Sequence, residues 1–310
     1  MKIAVTGGSG FIGSHVVDKV VEAGHDVLVL DGERPLFAPH VRHRGVDVVD
    51  LDAMSHALRG IDVVYHLAGA SDVDKALEDP LGTVRLNVQG TATVAEAARR
   101  NNLRRVVFAS TVWVYGATVG ESPLAESAPV STADAGHIYT STKLAGEMVL
   151  HSFAELYDLR FTILRYGIPY GPRMRDALVI AKFVQRALAG QPLTIAGDGL
   201  QVRNFVYVED LARAHVLALD DAAQNEVLAL DGAVPVTIRE IAETVVELVG
   251  MPVEIERVPA RPGDYAGRVI STERAAEVLG WQASTPFRAG VRRYLDWYLD
   301  QRVEEAEQAS

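Results

Sequence analysis

Short runs of β-branched and aliphatic residues recur through the first half of the chain: Ile3–Val5, Val27–Leu30, Val46–Val49, Val63–Tyr65, Val106–Ala109 and Phe161–Leu164. Each run is apolar at consecutive positions, which is how a strand covered on both faces reads, and so predicts parallel strands buried between helix layers. Helical patterns separate them, notably Ser14–Ala23, Val84–Arg100 and Thr140–Tyr157. Strand and helix in alternation predict the α/β class, with a doubly wound parallel sheet and right-handed crossovers.

After Leu164 the texture changes. Gly, Pro and Arg gather in Tyr166–Arg175, and helices are predicted near Leu178–Ala189, Asp210–Leu219, Ile238–Val249 and Phe287–Leu299. Short strands are predicted at Asn204–Val208, Glu226–Ala229 and Val253–Arg257. The expected organisation is a cofactor-binding domain over 1–165 and a smaller α/β substrate domain over 166–310, with segments near 201–232 returning to the first sheet. The polar residues Val303–Ser310 read as a frayed tail.

Composition narrows the chemistry. The chain of 310 residues has no cysteine, which removes disulfides, thiolate metal sites and cysteine nucleophiles together. Its formal charge is −11, spread evenly over both halves, and it has only five lysines. That balance argues against nucleic acid and against an anionic membrane surface as partners. The longest uncharged stretches, Ile3–Val17 and Val106–Gly120, fall short of a membrane span, and no signal-peptide pattern follows Met1-Lys2. The expectation is a cytoplasmic protein. His40, His43 and Asp47 lack the set of fixed ligands that a metal needs, so no metal is expected.

Ile3–Val5 runs straight into Thr6-Gly7-Gly8-Ser9-Gly10-Phe11-Ile12-Gly13. Gly8, Gly10 and Gly13 fit G-x-G-x-x-G between a strand and a helix, where glycine lets backbone N–H groups approach a pyrophosphate. Asp31 ends the next strand 18 residues after Gly13 and suits a ribose 2′-hydroxyl, while its charge repels a 2′-phosphate. NAD is therefore expected over NADP, with Arg34 as the opposing signal. Ser14 follows Gly13 where a Walker loop would carry Lys.

Tyr139-Thr140-Ser141-Thr142-Lys143 opens a predicted helix, and i,i+4 spacing puts Tyr139 and Lys143 on one face. An ammonium nearby is expected to lower the phenol pKa towards neutrality and make it a general base.

With these motifs the chain resembles the extended short-chain dehydrogenase/reductase superfamily, specifically its NAD-dependent epimerase/dehydratase family of nucleotide-sugar enzymes, over residues 3 to about 298. The resemblance implies a Rossmann-type sheet. It also implies a cofactor site of Gly7, Gly10, Phe11, Ile12, Gly13 and Asp31, with Asp50 and Leu51 at the adenine. Leu67, Ala68 and Gly69 match its third cofactor loop, Asn87 its Asn-Val-x-Gly-Thr, and Tyr139 and Lys143 its Tyr-x-x-x-Lys. Ser110–Gly116 is similar to its Ser-Ser/Thr-x-x-Val-Tyr-Gly, which makes Thr111 the catalytic hydroxyl beside Tyr139 and Lys143. Gly197–Asp210 and Arg261-Pro262-Gly263-Asp264 resemble its substrate motifs, implying a sugar-nucleotide diphosphate site with Thr111, Tyr139, Arg203, Arg261 and Asp264.

Departures from the pattern choose among its reactions. Family members that dehydrate or decarboxylate carry carboxyls just after the catalytic hydroxyl; here the places hold Val112 and Trp113, which move no protons. The expected function is therefore 4-epimerisation of a nucleoside-diphosphate sugar, most simply a UDP-sugar, through a 4-keto intermediate. A net oxidoreductase acting on a 4-keto sugar or another alcohol is the alternative, and a non-catalytic NAD sensor a third reading. Ile168 replaces the family's substrate-binding Asn, Ala76 an expected Ser, and Ile138 the Pro before the catalytic Tyr. His137, two residues before Tyr139, reads as a surface residue, with a place in the pocket lining as the alternative. The helices at 84–100 and 140–157 imply a homodimer by resemblance.

Overall fold

The computed structural model describes residues 1–116, 123–130, 136–259 and 269–308. The chain begins with β1 (Lys2–Thr6), α1 (Phe11–Glu22), β2 (Asp26–Leu30), β3 (Arg42–Arg44), α2 (Leu51–Ala57) and β4 (Val63–His66). Next come α3 (Val73–Glu78), α4 (Pro80–Val84), a single wide π turn at Arg85–Gln89, α5 (Gly90–Arg100) and β5 (Arg105–Thr111). A short 3-10 turn, Val112–Tyr115, leads on towards α6 (Ile138–Tyr157), β6 (Phe161–Tyr166), β7 (Ile168–Tyr170), α7 (Val179–Leu188) and β8 (Leu193–Ala196). The remainder is β9 (Val202–Tyr207), α8 (Val208–Leu217), β10 (Glu226–Leu230), β11 (Pro235–Thr237), α9 (Ile238–Val249), β12 (Ile255–Val258), α10 (Glu273–Leu279) and α11 (Phe287–Gln308).

Seven parallel strands form one sheet in the order β10-β6-β5-β4-β1-β2-β3. Consecutive apolar residues are needed because the sheet is covered twice. Ile3 and Val5 face a layer holding α1 and α8, while Ala4 between them faces α2, α5 and α6. β10 reaches this sheet from far along the chain. β9, which also lies in the 201–232 segment, instead pairs with β7 and β11 in a separate three-stranded sheet, and β8 pairs with β12. A third core gathers α7, α9 and α11 around β8 and β9. Asp210 in α8 fastens the C-terminal helices: its carboxylate accepts from Ser284 N at 3.1 Å, Ser284 Oγ at 2.8 Å and Thr285 N at 2.9 Å. No helix among the described residues is long and apolar enough to cross a membrane.

Three sequence expectations need correction. The third strand is the polar Arg42–Arg44, and Val46–Val49 is the bend after it. An edge strand pairs on one side only and tolerates polar residues, whereas Val46 and Val48 are apolar because they pack on the α2/α5 layer. The stretch 84–100 is not one continuous helix but passes through the wide turn at Arg85–Gln89. The predicted tail continues as α11 to Gln308.

One buried ion pair ties α6 to the sheet. Arg165 Nη2 lies 2.6 Å from Glu147 Oε2 and Arg165 Nε donates to Glu147 Oε1 at 3.0 Å, while Ser110 Oγ donates to the same Oε1 at 2.5 Å. Both charged side chains are less than one-tenth exposed. Removing one partner strands the other charge without water, so Glu147→Ala should cost about 3–5 kcal/mol of unfolding free energy in denaturant titrations.

Candidate active site

The glycine turn between β1 and α1 is built for close approach. Gly7 has φ +71°, and a Cβ there would stand 2.6 Å from Ala68 N; a Cβ on Gly13 would collide with the Gly7 carbonyl. Bare backbone thus packs against the loop after β4. Together they form one wall of a cavity of about 980 Å³, lined here by Gly7, Gly10, Phe11, Ile12, Gly13, Leu67, Ala68 and Gly69. That size fits a cofactor or drug-sized ligand.

Asp31 lies at the end of β2 on the same cavity. Its carboxylate accepts from Ser9 N at 3.1 Å and Glu33 N at 3.3 Å, which fixes it facing the glycine turn. Arg34 is exposed and is not among the lining residues. Asp50 and Leu51, expected at the adenine, are not among the cavity lining. Asp50 caps α2, accepting from Ala53 N at 2.9 Å, and Leu51 packs on the core. Asp47 and Val48, three residues earlier, line the cavity with Gly45 and Val46. Both pairs read Asp-aliphatic, so the sequence offered two equal registers.

Thr111, at the end of β5, and Tyr139 and Lys143, on the first turns of α6, stand on the opposite wall. Thr111 and Tyr139 face the same cavity, and the Thr111 hydroxyl favours the ionised form of the Tyr139 phenol. The half-buried phenol is pushed up to about 12 by burial, with Thr111 and the Arg175 charge pulling the other way. Burial pulls the Lys143 ammonium down to about 8, opposed by Glu147. The expected lowering of Tyr139 towards neutrality is therefore not achieved by the protein alone. Lys143 Nζ donates to Ala109 O at 2.9 Å and sits 5.0 Å from the Phe108 ring centre, so its charge is engaged at the end of β5.

Asn87, expected in the cofactor site, holds the loop after β4 from behind and is not among the cavity lining. Its Oδ1 accepts from Ala70 N at 2.7 Å and its Nδ2 donates to Ala70 O and Thr142 Oγ1 at 3.0 and 2.9 Å. His66 completes this support. Thr91 gives its proton to Asn87 O at 2.6 Å, so the network assigns the His66 proton to Nε2, donating to Thr91 at 3.1 Å. Nδ1 then accepts from Thr6 Oγ1 at 2.8 Å. Burial pulls His66 down to about 3, which keeps it neutral.

Of the two diphosphate arginines, the described one, Arg203, does not join this wall. Arg203 lies on β9 outside the cavity lining and donates to its own strand at Val202 O, 2.8 Å away. Arg261 and Asp264 lie outside the described residues. Among the lining residues that motif matching did not assign to the site are Ser71, Trp113, Pro169, Arg175 and Leu178; Ile168 also lines it. The Gly-Pro-Arg cluster at 171–175 was a visible signal for Arg175, which pairs with Asp72 at 3.2 Å. Ala76 is buried in α3 and has no part in the cavity. No group of three metal-ligating side chains occurs among the described residues.

A bare glycine cradle, a carboxylate anchored at the end of β2 and a cavity of this size fit a dinucleotide whose ribose carries a free 2′-hydroxyl. Asp31→Ala should weaken NAD binding about tenfold, the loss of one hydrogen bond to a charged group, and narrow the preference for NAD over NADP. Calorimetric titration with both dinucleotides measures each change.

Comparison with known proteins agrees with this geometry. A model of the NAD dependent epimerase/dehydratase family matches residues 3–230. The UDP-glucose 4-epimerase of Mycolicibacterium smegmatis is 33% identical over 312 aligned positions, covering 96% of this chain and 98% of that one. The UDP-glucuronic acid decarboxylase 5 of Arabidopsis thaliana is 30% identical, covering 94% and 87% respectively. The structure of Thermus thermophilus UDP-glucose 4-epimerase in complex with NAD superposes with a TM-score of 0.86 at 33% identity, covering 96% of this chain and 99% of that one. From the glycine turn to the Tyr139–Lys143 helix, the chain belongs to the NAD dependent epimerase/dehydratase family.

Proposed function

We propose that the protein is a nucleotide-sugar 4-epimerase acting on a UDP-sugar with NAD as its cofactor. The observation that carries this reading is local. Thr111, Tyr139 and Lys143 share a cavity with the glycine turn, while the two positions after Thr111 hold Val112 and Trp113. Elimination and decarboxylation in this family use a carboxyl there, and neither side chain can move a proton.

NAD supplies the hydride acceptor and donor at C4 of the sugar. The chain supplies the rest. The Tyr139 oxygen takes the proton from the 4-hydroxyl and later returns it, and the Thr111 hydroxyl orients the same sugar oxygen. Lys143, pinned to Ala109 O, keeps a positive charge at the end of β5. Gly7–Gly13 and Asp31 hold the dinucleotide. The keto sugar turns over between proton transfers, and reduction on its other face inverts C4. Arg203, Arg261 and Asp264 are assigned to the sugar nucleotide on the strength of their motifs alone. A homodimer is part of the same reading, supported by the exposed apolar residues Leu77 and Leu81 near α6 and Met148 and Leu156 on it.

The test is incubation of the purified protein with UDP-, dTDP- and GDP-sugars, following C4 configuration by NMR. Inversion without net change in nicotinamide absorbance is expected; stoichiometric absorbance change would favour the oxidoreductase reading. Tyr139→Phe should lower kcat by ~10²–10⁴-fold while NAD still binds.

The high phenol pKa gives a pH signature. A cation bound nearby favours phenolate, so NAD binding and loss of the Tyr139 proton assist one another. NAD affinity should therefore rise with pH in the alkaline range, and Tyr139→Phe should flatten that dependence in calorimetry.

A further inference from the structure

Trp113 occupies a place where the family's proton-moving carboxyls stand, yet it is not merely a missing acid. It follows Thr111 on the 3-10 turn, and its backbone N–H donates to Thr111 Oγ1 at 3.2 Å, so wall and catalytic hydroxyl are held together. Its indole meets the Tyr139 ring edge to face, with centroids 6.1 Å apart at 88°. On another side it meets His137 at 5.2 Å and 67°. His137 is not a free surface residue: its Nδ1 accepts from Thr140 N at 3.3 Å and caps the helix that bears Tyr139. Ring contacts of this kind favour one geometry.

The half-buried indole lines the cavity beside Tyr139, and Ile168, Pro169 and Leu178 add further apolar surface to the same cavity. Among the described lining residues the cations are Lys143 and Arg175, and Arg175 is turned to Asp72 at 3.2 Å. Any sugar whose C4 oxygen reaches Thr111 and Tyr139 brings a substituent of an adjacent ring carbon towards Trp113. A hydroxymethyl group packs against the indole, whereas a carboxylate there would lose water against an apolar wall.

We propose that Trp113 is the specificity-determining residue of this site, walling the sugar pocket so that nucleoside-diphosphate hexoses with a neutral C6 are accepted and uronates are disfavoured. This rests on the 4-epimerase reading above. The indole face packs on the C–H face of the ring, and its bracing against His137 and Tyr139 keeps it from swinging aside.

The test compares wild type, Trp113→Phe and Trp113→Ser on UDP-glucose and UDP-glucuronate. The expected kcat/KM ratio of neutral to acidic sugar is about 100 in wild type, within the range that pocket contacts supply. Trp113→Phe should keep most of it, and Trp113→Ser should reduce it at least about tenfold. Calorimetry in a Tyr139→Phe background, which measures binding without turnover, should show the same ordering. UDP-glucose should quench a component of tryptophan emission that Trp113→Phe removes. Preference for UDP-glucuronate in wild type, or a ratio untouched by Trp113→Ser, overturns this inference and leaves the 4-epimerase reading standing. Failure of every sugar nucleotide to bind or be inverted overturns both.

Discussion

A single buried carboxylate, Glu147, holds together the parts of the catalytic wall. It receives Arg165 from β6 through two nitrogens and Ser110 from β5, and it projects from α6 one turn beyond Lys143. Thr111 follows Ser110, Gly167 and Ile168 lie just past Arg165, and Tyr139 is two turns up the same helix. Three elements that carry reacting or lining groups therefore meet at one desolvated charge pair. An ion pair in such a place adds little net stability compared with packed hydrophobic residues, but its geometry is demanding. Its value to this fold is that a shift of α6 along the sheet would break charged hydrogen bonds before it moved Tyr139 relative to Thr111.

The electrostatics of that wall follow from the same burial. Both members of the Tyr139–Lys143 pair are disfavoured in their charged forms, the phenol pushed up to about 12 and the ammonium pulled down to about 8. Spacing on a helix is enough to bring two groups to one face; it does not say where the lysine spends its charge. Here a backbone carbonyl at the end of β5 accepts a hydrogen bond from its ammonium. The Tyr139 phenol is thus held neutral, and a positive charge brought with the cofactor would favour its ionised form.

Much of this was legible in the sequence because each signal is a backbone requirement or a short-range spacing. Gly7 and Gly13 are glycine because nothing larger fits, and that constraint is visible without coordinates. The buried strands showed as unbroken apolar runs because two layers cover them. The misreadings share a different origin. Val46 and Val48 are buried by a bend over the α2/α5 layer, and burial alone does not distinguish a bend from a strand. Asp47–Val48 and Asp50–Leu51 are equivalent in type, and only the position of the α2 cap separates ligand wall from helix start. Trp113 and Arg175 reach the site through loop geometry, which has no period to read.

The wide turn at Arg85–Gln89 bears on how this chain tolerates change in length. A helix accommodates one residue too many by opening a single turn, and such turns persist where the displaced groups have work to do. Asn87 lies inside it, and the bulge sets the amide that clasps Ala70 and Thr142. Deleting a residue from this stretch other than Leu86, which packs on the core, would favour α4 and α5 running on as an ordinary helix. The amide would then rotate away from the loop it holds. In this helix the irregular turn, and not a continuous helix, is what carries the amide that holds the loop.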